Sequence, residues 1–238
     1  MATLPIGLFL LTTILMLSTP MAQWTVFLNI HSILIVLGGS VAILSFSTPY
    51  KVLKELFISL RALLEKESDI KDHAQEITQL IESRRLTQPS ENPLINYAIE
   101  LWDNGSSLEI FHVLLSQKKE KLESTSAEAV QSLRNLAKYP PALGMTGTVM
   151  GLVNLFVNLK ADNRSNIGPA LGLALTATFF GLLIANGVVM PLADRLHVVH
   201  MRNRAHLQSI YELLLLINRR EPPSLIESEV TSRGTEAA

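Results

Sequence analysis

The chain has 238 residues, a formal net charge of −1 and no cysteine, with 17% charged against 48% hydrophobic residues. Lack of cysteine excludes disulfides and thiolate chemistry, and near-neutral charge excludes the broad basic surface of a nucleic-acid binder. A soluble domain carries roughly 25% charged residues, and here the shortfall is concentrated in four stretches.

Those stretches are Leu4–Ala22, Val26–Phe46, Tyr139–Leu159 and Gly168–Leu192, none of which contains Asp, Glu, Lys or Arg. Each is close to the ~20 apolar residues that a helix needs to cross a bilayer. They predict an all-α, polytopic membrane protein with four transmembrane helices and a helical cytoplasmic region. The first stretch reads as a span and not a cleaved signal peptide, because nothing basic precedes Leu4 and Pro20 suits a cut after Ala22 badly. Lys51, Lys54, Arg61 and Lys66 follow the second stretch, Arg134 and Lys138 precede the third, and Arg195, Arg202 and Arg204 follow the fourth. The loop around Met21–Thr25 has no basic residue and the loop after Leu159 has only Lys160 and Arg164. The positive-inside rule then puts both termini and the large middle segment in the cytoplasm.

In chain order the organisation is residues 1–48 as spans one and two, 49–138 as a cytoplasmic helical region, 139–193 as spans three and four, and 194–238 as a cytoplasmic helix and tail. Leu53, Leu56, Phe57, Leu60, Leu63 and Leu64 keep the spacing of an amphipathic helix, and Ile77, Leu80 and Ile81 predict a short second one. Arg85–Pro93 reads as a loop, and Leu94–Trp102 as a third helix stopped by Asn104-Gly105, with Ser106 or Ser107 capping the next. Leu108–Tyr139 has almost no breaker until Pro140-Pro141 at the inner edge of span three. After span four, Leu207, Ile210, Tyr211, Leu214 and Ile217 mark one face of a helix over Asp194–Arg219, and the tail beyond Pro222-Pro223 is polar.

The chain contains no GxGxxG, Walker loop, HExxH or nucleophile elbow, so nothing in it predicts an enzyme or a bound metal. His197, His200 and His206 are spaced three and six apart on one helix, and a solvated helix below the membrane explains them better than a metal site. His31 reads as a polar packing residue near the outer interface of span two. In the spans, Gly147 and Gly151 form a GxxxG pair and Gly181 with Ala185 a small-xxx-small pair, patterns that let helix backbones approach closely. Thr148 and Thr178 place hydroxyls inside the membrane; they line a path for an ion or water, or bond back to their own helices. Intramembrane ion pathways usually contain an ionisable group, and no span here has Asp or Glu. A charged carrier must then come from a partner, or the protein is a passive scaffold.

Three segments carry a resemblance: Ser32–Ser40, Pro141–Leu152, and Ile167-Gly168-Pro169-Ala170 continued by Ala174–Asn186 and Met190–Asp194. They resemble the second, third and fourth spans of MotA-type flagellar stator subunits in the MotA/TolQ/ExbB superfamily, and Ile217–Glu227 is similar to the C-terminal element of that family. The resemblance implies a homopentamer in the bacterial inner membrane around a dimer of a MotB-like partner that brings the ion-binding aspartate. Ion entry is then expected to drive rotation against the rotor protein FliG, in flagellar motility and chemotaxis. It implies ion-pathway roles for Thr148 and Thr178 and coupling roles for Pro141 and Pro191. Arg84 and Glu91 correspond to the rotor contact, although the Gly-Xaa-Xaa-Ala-Leu-Glu run of the family is missing and Arg85–Pro93 is short. The resemblance implies no cofactor and a transported ion that is H+ or Na+, with Thr148 pointing toward sodium, Ala177 away from it, and the proton slightly ahead. The alternatives are a motor of the same kind powering a non-flagellar process and a non-conducting scaffold.

Overall fold

A computed structural model describes Thr13 and residues 29–63, 74–84, 86, 88–160, 167–226 and 228. The first predicted span lies outside the described residues apart from Thr13, as do residues 26–28 of the second. Among the described residues all regular structure is helical. In chain order the helices are α1 (Ile30–Ser47), α2 (Tyr50–Ala62), α3 (Ala74–Ser83), α4 (Pro93–Asp103), α5 (Leu108–Leu136), α6 (Tyr139–Lys160), α7 (Ile167–Ile184) and α8 (Met190–Arg219). Three helical stretches are long and apolar enough to cross a membrane, within Ile30–Ser47, Leu108–Val157 and Ile167–Arg219. These hold predicted spans two, three and four.

Two of the spans contain a wide, π-helical turn, Leu34–Gly38 inside α1 and Ala185–Val189 between α7 and α8. The second has a local cause. Pro191 has no N–H to give to the turn before it, and the Met190 N–H reaches back to the Ala185 carbonyl just ahead of that gap. Wide turns of this kind re-satisfy a helix whose hydrogen-bond ladder is interrupted. Span three handles its prolines differently. The helix predicted to run unbroken to Tyr139 stops at Leu136, and α6 starts at Tyr139 after a turn at Ala137-Lys138. Pro140 and Pro141 therefore fall in the first turn of α6, where backbone N–H groups lack helical partners anyway.

The chain divides into two compact units, Met1–Leu64 with Glu128–His197, and Glu65–Ala127 with Val198–Ala238. In the first unit, α6 and α7 pack along a seam of small residues, with Ala170, Ala174, Ala177 and Gly181 of α7 all buried. The second unit has an ordinary aliphatic and aromatic core. Ile77 and Leu80 of α3, Leu94, Ile95, Ala98 and Leu101 of α4, Phe111 and Leu115 of α5, and Ile210, Tyr211, Leu213, Leu214 and Ile217 of α8 close on each other with Ile226. The predicted stripe Ile210, Tyr211, Leu214 and Ile217 lies in this core. The α5 N-terminus is capped by Ser107, whose hydroxyl accepts from the Ile110 N–H at 3.4 Å. Along α2 the predicted apolar stripe is only partly covered: Leu56 and Leu63 are buried, whereas Phe57 is exposed.

Candidate functional site: a hydroxyl pair on a glycine seam

The α6–α7 seam exists because four glycines lack a side chain. A Cβ placed on Gly144 would lie 2.8 Å from the Ala177 carbonyl oxygen and 3.1 Å from Thr178 Cα. One on Gly151 would lie 2.7 Å from the Ala170 oxygen, and one on Gly181 2.5 Å from the Pro140 oxygen. At Gly147 the obstacle is Ala177 Cβ, at 2.5 Å. Backbone meets backbone at three of the four, so the glycines set the spacing of the helices directly. Gly147, Gly151 and Gly181 are the packing glycines read from the sequence. Gly144 is the member that reading missed, although its spacing of three from Gly147 and seven from Gly151 continues the same stripe.

This close approach brings Thr148 of α6 and Thr178 of α7 together. Their hydroxyl oxygens are hydrogen-bonded to each other, and both are half-buried. Thr148 Oγ1 also lies 3.1 Å from the carbonyl oxygens of Gly144 and Ala174, and Thr178 Oγ1 lies 3.3 Å from the Gly144 oxygen. The two readings left open by the sequence are thus not exclusive. Thr148 reaches its own helix four residues back, and the pair also bonds across the seam. Each hydroxyl has one hydrogen to donate. Two hydrogens face three carbonyl contacts and one hydroxyl–hydroxyl contact, so some acceptor contacts are unfilled at any moment. Rotation of either hydroxyl exchanges one acceptor for another.

A second hydroxyl pair joins α1 to α7. Ser32 Oγ lies 2.7 Å from Thr176 Oγ1 and 3.2 Å from the Leu173 carbonyl oxygen, and Thr176 Oγ1 donates to the Gly172 oxygen at 2.6 Å. Both residues are buried, so this node fastens helices instead of lining a path. Ser32 and Thr176 lie in separate segments of the sequence, and cross-helix register is not written in either segment alone.

The two prolines expected to couple ion binding to helix movement lie at the starts of α6 and α8. Pro141 is half-buried at the start of α6, Pro191 is exposed near the start of α8, and the proline that touches the seam is Pro140, fully buried with its carbonyl against Gly181. In the second unit Glu91 is exposed. Arg84, half-buried, turns its guanidinium inward: Nη2 donates to the carbonyl oxygens of Ile217 at 3.0 Å and Asn218 at 3.2 Å. Partial burial and then the neighbouring Arg220 hold its pKa below the ordinary arginine value. Arg85 lies outside the described residues. His200, read as part of a solvated face, is in fact buried, with Nδ1 2.9 Å from Ser126 Oγ. His31 is exposed, and its backbone N–H is capped by the Asn29 side chain.

A profile of the MotA/TolQ/ExbB proton channel family matches residues 85–209, more than half of the chain. The chain belongs to the MotA/TolQ/ExbB family. It is accordingly an all-α, multi-pass membrane protein of a channel family, not an enzyme. Among similar curated proteins, the chemotaxis protein PomA of Vibrio alginolyticus is 26% identical over 210 residues, covering 85% of this chain and 82% of PomA. Motility protein A of Aquifex aeolicus (strain VF5) is 26% identical over 218 residues, covering 86% of this chain and 85% of that protein. The C. jejuni MotAB structure superposes with a TM-score of 0.78 at 20% identity, covering 97% of this chain and 94% of that one. The flagellar MotAB stator complex from Bacillus subtilis gives 0.71 at 19%, covering 95% and 92%. At these identities the two structures establish the shared fold. The family match spans α4, α5, α6, α7 and most of α8, and so includes both threonines of the hydroxyl pair.

Proposed function

We propose that this family member is the ion-channel and torque-generating subunit of a flagellar stator. Four spans with both termini cytoplasmic hold it in the bacterial inner membrane, and five copies surround a dimer of a MotB-like partner. The observation that carries the reading is the Thr148–Thr178 hydroxyl pair in spans that contain no carboxylate. Such a pair can solvate a moving cation but cannot hold its counter-charge, so the ion-binding aspartate arrives on the partner helix. The transported ion is H+ or Na+, with the proton slightly favoured: Ala177 argues against sodium and Thr148 for it. Pro141 and Pro191, at the inner ends of the third and fourth spans, couple ion binding to movement of the helices. The segment from Arg84 to Glu91 meets the rotor protein FliG, with Glu91 as its exposed charge.

The test is ion flux into vesicles containing this chain and an unplugged MotB-like partner. Thr178→Val keeps the shape of the side chain, so assembly is expected to persist while flux falls about tenfold, as it does when the loss of one hydrogen bond raises a barrier by about 1.4 kcal/mol. Thr148→Ser, which retains the hydroxyl, is expected to retain flux. Full flux in a Thr148→Val, Thr178→Val double variant refutes the pathway role, and an absence of flux from the intact complex refutes the channel itself.

A further inference from the structure

Three helices of the second unit end on a residue in the left-handed region. The C-terminus of α4 uses Gly105, at φ 65°, with Gly105 N–H on the Trp102 oxygen at 3.0 Å and Ser106 N–H on the Leu101 oxygen at 3.1 Å. The end of α8 repeats this bonding around Arg220, at φ 58°, with Arg220 N–H on Ile217 oxygen and Glu221 N–H on Leu216 oxygen, both at 3.2 Å. Arg84, at φ 53°, closes α3 with its N–H on the Leu80 oxygen at 3.0 Å. Glycine takes this conformation without penalty and is the usual choice; any side chain with a Cβ is strained there. At position 84 the arginine side chain makes contacts that offset this cost.

The Arg84 guanidinium donates to the carbonyl oxygens of Ile217 and Asn218 in the last turn of α8. It also lies 5.6 Å from the centre of the Trp102 ring. Trp102 in turn donates from Nε1 to Asn218 Oδ1 at 2.9 Å and stacks on Phe111, with centroids 5.4 Å apart and planes 8° from parallel. A cation at a helix C-terminus meets the negative end of the helix dipole. The planar, forked guanidinium serves two acceptors and an aromatic face at once, which an ammonium cannot do. One side chain thus joins the ends of α3 and α8 with Trp102 of α4 and, through it, Phe111 of α5.

We propose that Arg84 is a latch, a positioning residue that fastens the C-terminal turn of α8 to Trp102, and that it does not itself offer charge to a rotor. The motility arm of the test below rests on the stator reading; the latch does not. Hydrogen exchange on the full-length protein in detergent reads the amides of Arg220 and Glu221, whose acceptors belong to the latched turn. Arg84→Gln is expected to accelerate their exchange about tenfold or more while α6 and α7 are unchanged. Arg84→Lys, which keeps the charge but not the fork, is expected to accelerate it similarly. Unchanged exchange in Arg84→Gln overturns the latch, and full protection by lysine overturns its geometry. Should Arg84→Gln fail to fold, Arg84→Gly removes the guanidinium and the backbone strain together, and the same acceleration is expected. In cells, Arg84→Glu is paired with charge reversal of each acidic residue on the rotor face. No pairing is expected to restore swimming; restoration by any one shows that Arg84 presents its charge outward and overturns the proposal. A chain that never supports swimming defeats the stator reading and leaves the exchange result standing.

Discussion

Replacing Gly144 by alanine puts one methyl group where the backbones of the two helices of the seam come close. The new Cβ lies 2.8 Å from the Ala177 carbonyl oxygen, and ordinary van der Waals contact begins at 3.4 Å, so the helices must part by roughly 0.6 Å at that level. Neither obstacle can rotate away, because both the Ala177 oxygen and Thr178 Cα belong to the backbone. Overpacking of this kind costs about 1–3 kcal/mol. The functional cost is expected to exceed the loss of stability. Thr178 follows Ala177 directly, and Thr148 lies one turn along α6 from Gly144, so parting the helices there lengthens the Thr148–Thr178 hydrogen bond. The assay compares Gly144→Ala with Gly172→Ala, whose added methyl has nothing within 4 Å. Thermal midpoint and ion flux are measured for both in the same membrane preparation. A lower midpoint and a flux loss approaching that of Thr178→Val are expected for Gly144→Ala only. Wild-type flux and stability in Gly144→Ala would mean that the seam yields without disturbing the pair, and the reasoning that links glycine spacing to conduction fails.

Three further predictions concern stability. Ser32→Ala removes one half of the α1–α7 node, but Thr176 keeps its bond to the Gly172 oxygen; a loss of only about 0.6–1.7 kcal/mol is expected from unfolding in detergent, in line with hydrogen bonds between membrane helices. Arg220→Gly relieves a left-handed arginine and removes the charge that opposes Arg84, so the midpoint is expected to rise, with a net gain near 1 kcal/mol after the entropy of glycine is subtracted. Burial, then Glu212, raises the pKa of Tyr211. The folded state therefore holds the phenol proton more tightly than the unfolded state does. That contribution is complete below the ordinary tyrosine range near 10 and is lost as pH rises through and above it. Thermal midpoints on either side of that range are expected to fall less for Tyr211→Phe than for the wild-type chain, and an equal fall removes Tyr211 as the cause.

What could be read from the sequence follows from how local each signal is. Helices α3 to α8 were legible because apolar spacing, Asn104-Gly105, Ser107 and the prolines act within a few residues of where they stand. The hydroxyl pair was legible as two candidates, since threonines in apolar spans draw notice singly, but their contact depends on which faces of α6 and α7 meet. Gly144 shows the limit well. It lies on the same stripe as Gly147 and Gly151, yet its importance comes from a carbonyl 33 residues away at Ala177, and only the packed seam reveals it. For Arg84 the sequence carries the charge but not its direction. Whether a guanidinium faces solvent or a helix end depends on a backbone angle at Arg84 and on Trp102 and Ile217, distant in the chain. His200 was misjudged for a similar reason, because its burial against Ser126 comes from α5, which the pattern along α8 does not contain.

The lack of a carboxylate in the spans and the presence of a hydroxyl pair are two sides of one requirement on the proposed pathway. A carboxylate fixed in the wall of a low-dielectric path attracts a cation strongly enough to hold it, and buried without a partner it is either protonated or very costly. Hydroxyls and half-used carbonyls offer oxygen ligands at a strength comparable to the water they replace, so a cation passes between them without being trapped. The Thr148–Thr178 pair can also satisfy itself when no ion is there, through the Gly144 and Ala174 oxygens. An empty wall then carries little penalty for unmet hydrogen bonds. A single charged residue on a separate partner helix can accordingly meet equivalent pairs in successive copies of this chain, each weak and each self-satisfied after the charge has moved on. If the counter-charge were instead on this chain, every copy would hold its own ion, and relative rotation would not be needed to hand it on.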